Sequence, residues 1–161
     1  MTDGKIILIV DDEVEARNMF GKFLVRKGFQ VREAANALEA IRRLKMESVD
    51  LVLTDYHMPE VNGLELLDEI RAMDPHLPVI MMSGVADMHT ALKAIKNHAF
   101  DFLTKPVDSN ELMKAVELAL QHARQQIDPA VDQIADKGFG PILARPDPEQ
   151  KDLFILSINR A

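Results

Sequence analysis

The sequence predicts an α/β fold, a doubly wound five-stranded parallel sheet with helices on both faces. Three observations predict it. Short apolar runs such as Ile6-Ile7-Leu8-Ile9-Val10 and Leu51-Val52-Leu53-Thr54 have no wet face, as strands covered on both sides require. Segments of helical periodicity lie between them. Strand-like and helix-like segments alternate five times, the order that builds a parallel sheet between two helical layers.

Lys5–Val10 reads as the first buried strand. Val14–Lys27 follows with Ala16, Met19, Phe20, Phe23 and Leu24 on one helical stripe, and Gly28 fits the left-handed residue beyond a helix end. Gln30–Glu33 is a short strand. Ala37–Lys45 is a helix expected to turn Leu38, Ile41 and Leu44 inward. Leu51–Thr54 is the third strand. Gly63–Met73 is a helix with Leu64, Leu67 and Ile70 inward, stopped by Pro75. Pro78–Met82 and Asp101–Thr104 are the fourth and fifth strands, with a helix over Met88–Asn97 between them. Ser109 is expected to cap a last helix that buries Leu112, Val116, Ala119 and Leu120 and reaches about Ile127.

A chain of 161 residues has room for one domain with a proper core and an appendage, divided here as 1–127 and 128–161. The absence of cysteine excludes disulfides, thiolate catalysis and Cys-ligated metals. The first apolar run is short and stopped by acids, so it is neither a signal peptide nor a membrane span, and the expected location is cytoplasmic. A net charge of −7 argues against direct binding of nucleic acid or anionic membranes.

Past Ile127 the alternation stops. Residues 128–161 carry Pro129, Pro141, Pro146 and Pro148 with Gly138 and Gly140, too short and too broken for a familiar output domain. Leu153-Phe154-Ile155-Leu156-Ser157-Ile158 is a strong β-former. It is expected to fold back on its own domain or to associate with a second copy, with docking on a partner, a mobile tail or the stub of a larger output region as alternatives.

Chemistry gathers at the carboxyl ends of the strand-like runs, where open α/β sheets bind ligands. Asp11 and Asp12 end the first run, Asp55 the third, Ser83 and Gly84 the fourth, and Lys105 the fifth. Three acids at one end of a sheet repel each other unless a cation joins them. Carboxylate oxygens suit a hard ion, and Mg2+ keeps room in its shell for phosphate. Lys105 supplies a compact charge for an anion, and the Ser83 hydroxyl can bond a phosphate oxygen. These parts fit phosphoryl transfer. Asp55, alone on its strand, is the expected nucleophile, and the pair Asp11-Asp12 the expected metal site.

With Val10-Asp11-Asp12-Glu13, Thr54-Asp55-Tyr56-His57-Met58-Pro59, Asn62-Gly63, Ser83-Gly84 and Lys105-Pro106 in order, the chain resembles the response regulator receiver domain of two-component signalling from about Lys5 to Ile127. The resemblance implies a flavodoxin-like strand order 2-1-3-4-5. It implies that Asp55 is the phosphoacceptor, supplied by a histidine kinase or phosphotransfer protein. Asp12, Asp55 and the backbone carbonyl of His57 correspond to direct magnesium ligands, and Asp11 to an indirect contact, behind those ligands or through water. Ser83 and Lys105 correspond to the groups that hold the phosphoryl oxygens, and Pro106 to a proline often preceded by a cis bond. Phe102 falls at the aromatic switch position. Phosphorylation adds about −1.5 to −2 charges and three acceptor oxygens. Ser83 and Lys105 would be drawn to them, and Phe102 would enter the space left by Ser83. The face of helix 4, strand 5 and helix 5 would then be remodelled for a partner or a second copy. On this reading the protein is no enzyme beyond its own phosphorylation and dephosphorylation.

Two other readings compete. An aspartate-nucleophile phosphatase would carry a second acid where this chain has His57. A receiver-like module that no longer takes phosphate would have lost one of the intact acids, Ser83 or Lys105. His57 is expected to tune access and hydrolysis, and Val85 to line the pocket mouth. His76, His89, His98 and His122 are expected on the surface.

Overall fold

The computed structural model describes residues 4–84 and 88–126. Its elements alternate without exception: β1 (Ile6–Val10), α1 (Val14–Arg26), β2 (Gln30–Ala34), α2 (Ala37–Met46), β3 (Leu51–Asp55), α3 (Gly63–Met73), β4 (Val79–Ser83), α4 (Met88–Lys96), β5 (Asp101–Thr104) and α5 (Ser109–Gln126). All but the final residues of α5 belong to the unit Met1–Ala123. Every strand pair is parallel, in the order β2-β1-β3-β4-β5. The chain steps outward from β1 to β2, then turns back past β1 to β3. Right-handed crossovers place the connecting helices of the two directions on opposite faces.

The period of two along each strand divides the core accordingly. Ile7, Ile9, Leu51, Leu53, Ile80 and Met82 face α1 and α5, where Phe20, Leu24, Leu112 and Val116 meet them. Leu8, Val10, Val52, Val79 and Met81 face the other layer, with Leu66, Leu67 and Ile70 of α3 and Ala94 of α4. β3 and β4 are buried along their whole length, as their unbroken apolar runs require. Among the described residues no helix is long and apolar enough to cross a membrane.

Gly28 adopts φ 100° as expected. Its N–H donates to the Val25 carbonyl and the Phe29 N–H to the Leu24 carbonyl, a paired closure of α1. Three expectations are corrected. Met19 is 59% exposed and Leu38 62% exposed, neither facing the sheet. In α2 the inward stripe is Ala37 and Ala40 with Ile41 and Leu44 beside them. Alanine lets a helix sit close to the sheet, so a stripe drawn through the largest side chains strays to the flank. Ser109 is already helical, and Asp108 caps α5: its carboxylate accepts the Glu111 N–H at 3.1 Å and its carbonyl the Leu112 N–H at 2.9 Å. The expectations for Val85, Ile127 and the segment 128–161 lie outside the described residues.

Candidate functional site

The turn in strand order between β1 and β3 sets their carboxyl ends side by side. Asp11 follows β1 directly, and Asp55 is the last residue of β3. Asp55 is in register with Met82 of β4, so Ser83 stands one residue beyond it. Ser83 in turn pairs with Thr104 of β5, and Lys105 follows. The Lys105–Pro106 peptide bond is cis. Sheet register alone thus gathers residues separated by up to 94 positions.

Asp11, Asp12 and Asp55 each place a carboxylate oxygen within 4.8 Å of the others. Asp11 is fully buried and Asp55 only 6% exposed, whereas Asp12 lies at the surface. Lys105 Nζ bridges the two buried acids, at 3.1 Å from Asp11 Oδ2 and 3.2 Å from Asp55 Oδ1. The Glu13 N–H donates to Asp11 Oδ1 at 3.0 Å. Burial pushes the Asp55 carboxyl above its ordinary pKa. Lys105 opposes that shift, and the neighbouring charge of Asp11 adds to it. For Lys105 burial works against the charge, but hydrogen bonds and attraction from Asp11 and Asp55 outweigh it, and its pKa rises. The ammonium therefore stays protonated at neutral pH.

Three carboxylates against one ammonium leave the cluster short of positive charge. Its donor set is oxygen alone and one acid opens to solvent, which fits a hard divalent cation that retains water. Thiolate- or imidazole-seeking metals have no suitable donor among these three residues.

The elements behind the cluster hold it tightly. Gly63 opens α3, and its N–H donates to the Tyr56 carbonyl at 2.8 Å. A Cβ at Gly63 would lie 2.7 Å from the Asp55 carbonyl oxygen and 2.9 Å from Tyr56 Cα. Only glycine lets α3 begin this close behind the acid. Asn62 and Glu65 form a reciprocal capping box that fixes the start of the same helix.

The other expected residues fall around this centre. Ser83 is buried at 1% exposure. His57 is exposed on the loop after β3, its ring edge-on to Tyr56 at 4.6 Å. Phe102 is half-buried on β5 and packs against the core layer beneath α3 and α4. His76, His89, His98 and His122 are exposed, as expected. The sequence reading missed Arg17, which donates through Nη1 to the Asp11 carbonyl at 2.7 Å and through Nε to Glu33 at 3.1 Å. Its partner Glu33 belongs to β2, and no local pattern in the sequence signals that contact. The close approach at Gly63 was also missed, although a glycine opening a helix just after an acid is a readable hint.

Comparison with known proteins agrees with this arrangement. The family model of the response regulator receiver domain matches residues 7–117. The chain is 35% identical over 126 residues to the transcriptional regulatory protein ZraR of Klebsiella oxytoca, covering 78% of this chain and 28% of that protein. It is 42% identical over 114 residues to the response regulator protein PilR of Pseudomonas aeruginosa, covering 71% of this chain and 26% of that one. The chain thus spans less than a third of the length of these curated relatives. A solved response regulator receiver domain protein from Clostridium thermocellum superposes with a TM-score of 0.73 at 32% identity, over 76% of this chain and 99% of that one. The receiver domain of NtrX from Brucella abortus gives 0.69 at 38% identity, over 71% and 98%. Strand order, the acids at the sheet's carboxyl end and the family match converge: the chain belongs to the response regulator receiver domain family of two-component signalling.

Proposed function

We propose that Asp55 is the phosphoacceptor of this receiver and that Asp11, Asp12, Asp55 and the His57 carbonyl hold Mg2+. The observation that carries the reading is the bridging of Asp11 and Asp55 by Lys105 beside the exposed Asp12. A carboxylate oxygen of Asp55 attacks phosphorus, forming the acyl phosphate as the bond from phosphorus to the donor's imidazole nitrogen or leaving oxygen breaks. Magnesium supplies the positive charge that lets an anionic nucleophile meet an anionic phosphoryl group. Lys105 then pairs with the phosphoryl oxygens, and the Ser83 hydroxyl donates to another.

The donor is a histidine kinase or a phosphotransfer protein, and the setting is cytoplasmic. Recruitment of Ser83 draws Phe102 inward and shifts the population of the α4–β5–α5 face toward a form that binds a partner or a second copy. The receiver itself catalyses its own phosphorylation and dephosphorylation, and its net charge of −7 disfavours direct contact of this chain with nucleic acid. The receiver occupies 1–127, and residues 128–161 follow it in sequence.

Incubation with labelled acetyl phosphate tests the assignment. Labelling is expected with magnesium, and is expected to vanish on chelation and in Asp55→Asn. Label retained by Asp55→Asn at the wild-type level would refute it.

A further inference from the structure

Asp12 has no hydrogen bond or ion pair among the described residues and is exposed. Its position beside Asp11 and Asp55 is therefore imposed by the backbone that carries it. Like charge works against that position, because all three carboxylates lie within 4.8 Å. Asp11 is secured by Lys105 and by the Glu13 N–H. Neither contact grips the peptide that joins Asp11 to Asp12. Arg17 does: the carbonyl that accepts its Nη1 at 2.7 Å is the carbonyl of that peptide.

The other side of the guanidinium is fixed as well. Nε donates to Glu33 Oε1 at 3.1 Å, and the Arg17 side chain is only 15% exposed. Glu33 is tied to the sheet through β2, with its own carbonyl taken by Arg43 Nε at 2.7 Å. The planar fork of arginine thus spans two acceptors in different directions, one in the acidic turn and one on the sheet. A lysine ammonium offers the same charge without the fixed fork.

We infer that Arg17 is a positioning residue of the acidic site, orienting the Asp11–Asp12 peptide so that Asp12 stays turned toward Asp55, and thereby setting the site's affinity for a divalent cation. The inference rests on the reading of Asp11, Asp12 and Asp55 as a magnesium site. Arg17 touches none of the reacting atoms, so its loss acts on cation affinity and leaves the loaded site competent. Groups that orient metal ligands from behind typically change affinity by about 10- to 100-fold when removed.

The test is a magnesium titration of the full chain, read by calorimetry and by the emission of Tyr56. That residue follows Asp55 directly and is the single tyrosine of a chain without tryptophan. Arg17→Ala is expected to weaken magnesium binding roughly tenfold, and Arg17→Lys to weaken it measurably in the same direction. Labelling by acetyl phosphate is expected to need more magnesium in both variants and to regain the wild-type rate at saturation. Should Arg17→Ala fail to fold, Arg17→Lys carries the test. Wild-type affinity in the folded variants would overturn the inference, as would a labelling defect that saturating magnesium does not repair, which marks a merely structural role. A wild-type chain that binds no magnesium would bring down the metal-site reading itself, and the inference with it.

Discussion

At Asp55 two effects oppose each other, and their balance is measurable. Burial favours the neutral acid and Lys105 favours the carboxylate; burial is the larger, so the folded pKa lies above the ordinary 3.8. A raised acid pKa in the fold means that the native state binds more protons than the unfolded chain, and stability falls as pH rises. The penalty is absent below the unfolded pKa and complete above the folded one. Asn at this position carries no charge and escapes it. In magnesium-free buffer, Asp55→Asn is therefore expected to melt above the wild type, by a margin that opens as pH rises from 4 and then levels off. Millimolar magnesium is expected to narrow the margin by stabilising the wild type alone. Thermal melts across pH 4 to 8 check this, and a margin independent of pH would show that Lys105 already cancels the cost of burying the charge.

The helices and strands were legible because their ends carry local chemistry. Gly28 announced the close of α1, and Pro75 the close of α3. α4 ends in the same geometry as α1 but without glycine. The His98 N–H donates to the Ile95 carbonyl and the Ala99 N–H to the Ala94 carbonyl, which forces His98 to φ 73°. Arg71 then clasps the His98 carbonyl through Nε at 3.2 Å and Nη2 at 2.9 Å, fastening α4 to α3. Those bonds use the backbone alone, so a glycine can keep them. Relief of the left-handed strain exceeds the extra freedom given to the unfolded chain, and His98→Gly is expected to stabilise the fold by roughly 1 kcal/mol. Urea denaturation with an unchanged slope checks it; a lower midpoint would mean that the imidazole itself supports the helix end. The edge of the sheet was less legible. In β2 the even-numbered residues face β1, as the bonds of Gln30 to Lys5 and Asp11 to Ala34 show, so the carbonyls of Val31 and Glu33 point outward. Arg32 and Arg43 cover them at 3.3 and 2.7 Å, and Glu47 holds both arginines at 2.8 and 3.0 Å. This clasp closes an edge that is otherwise a template for a foreign strand. It joins β2 to the end of α2 through charges that look, in sequence, like an ordinary solvated helix face.

Across the whole molecule, legibility followed the same division. Asp11, Asp12, Asp55, Ser83 and Lys105 could be read as one site because each ends a strand-like run, and a parallel sheet brings such ends together whatever their separation in sequence. Arg17 and Glu33 could not, since neither ends a run and their meeting depends on how α1 lies over β2. The same reasoning applies to the side of the molecule formed by α4, β5 and α5. Leu92 and Ile95, three residues apart on α4, are 60% and 50% exposed, and Leu118 on α5 is 49% exposed. Ala94 of α4 is buried instead, so the apolar residues of this short helix are divided between core and solvent. Phe102 lies half-buried on β5, the strand at this edge of the sheet. Ser83 and Phe102 lie on adjacent paired strands, where Met81 is the register partner of Phe102 and Ser83 that of Thr104. If phosphorylation turns Phe102 inward, the exposed leucines and isoleucine gain a surface on which a second copy can close. With magnesium and beryllofluoride, a mimic of the phosphoryl group, the scattering mass of the full chain is expected to rise from monomer toward dimer. Leu92→Arg is expected to block the rise without changing magnesium affinity, and Asp55→Asn to ignore beryllofluoride altogether. A mass that stays monomeric while Tyr56 emission reports a saturated site would separate phosphoryl capture from self-association and refute the closing of a second copy on this face.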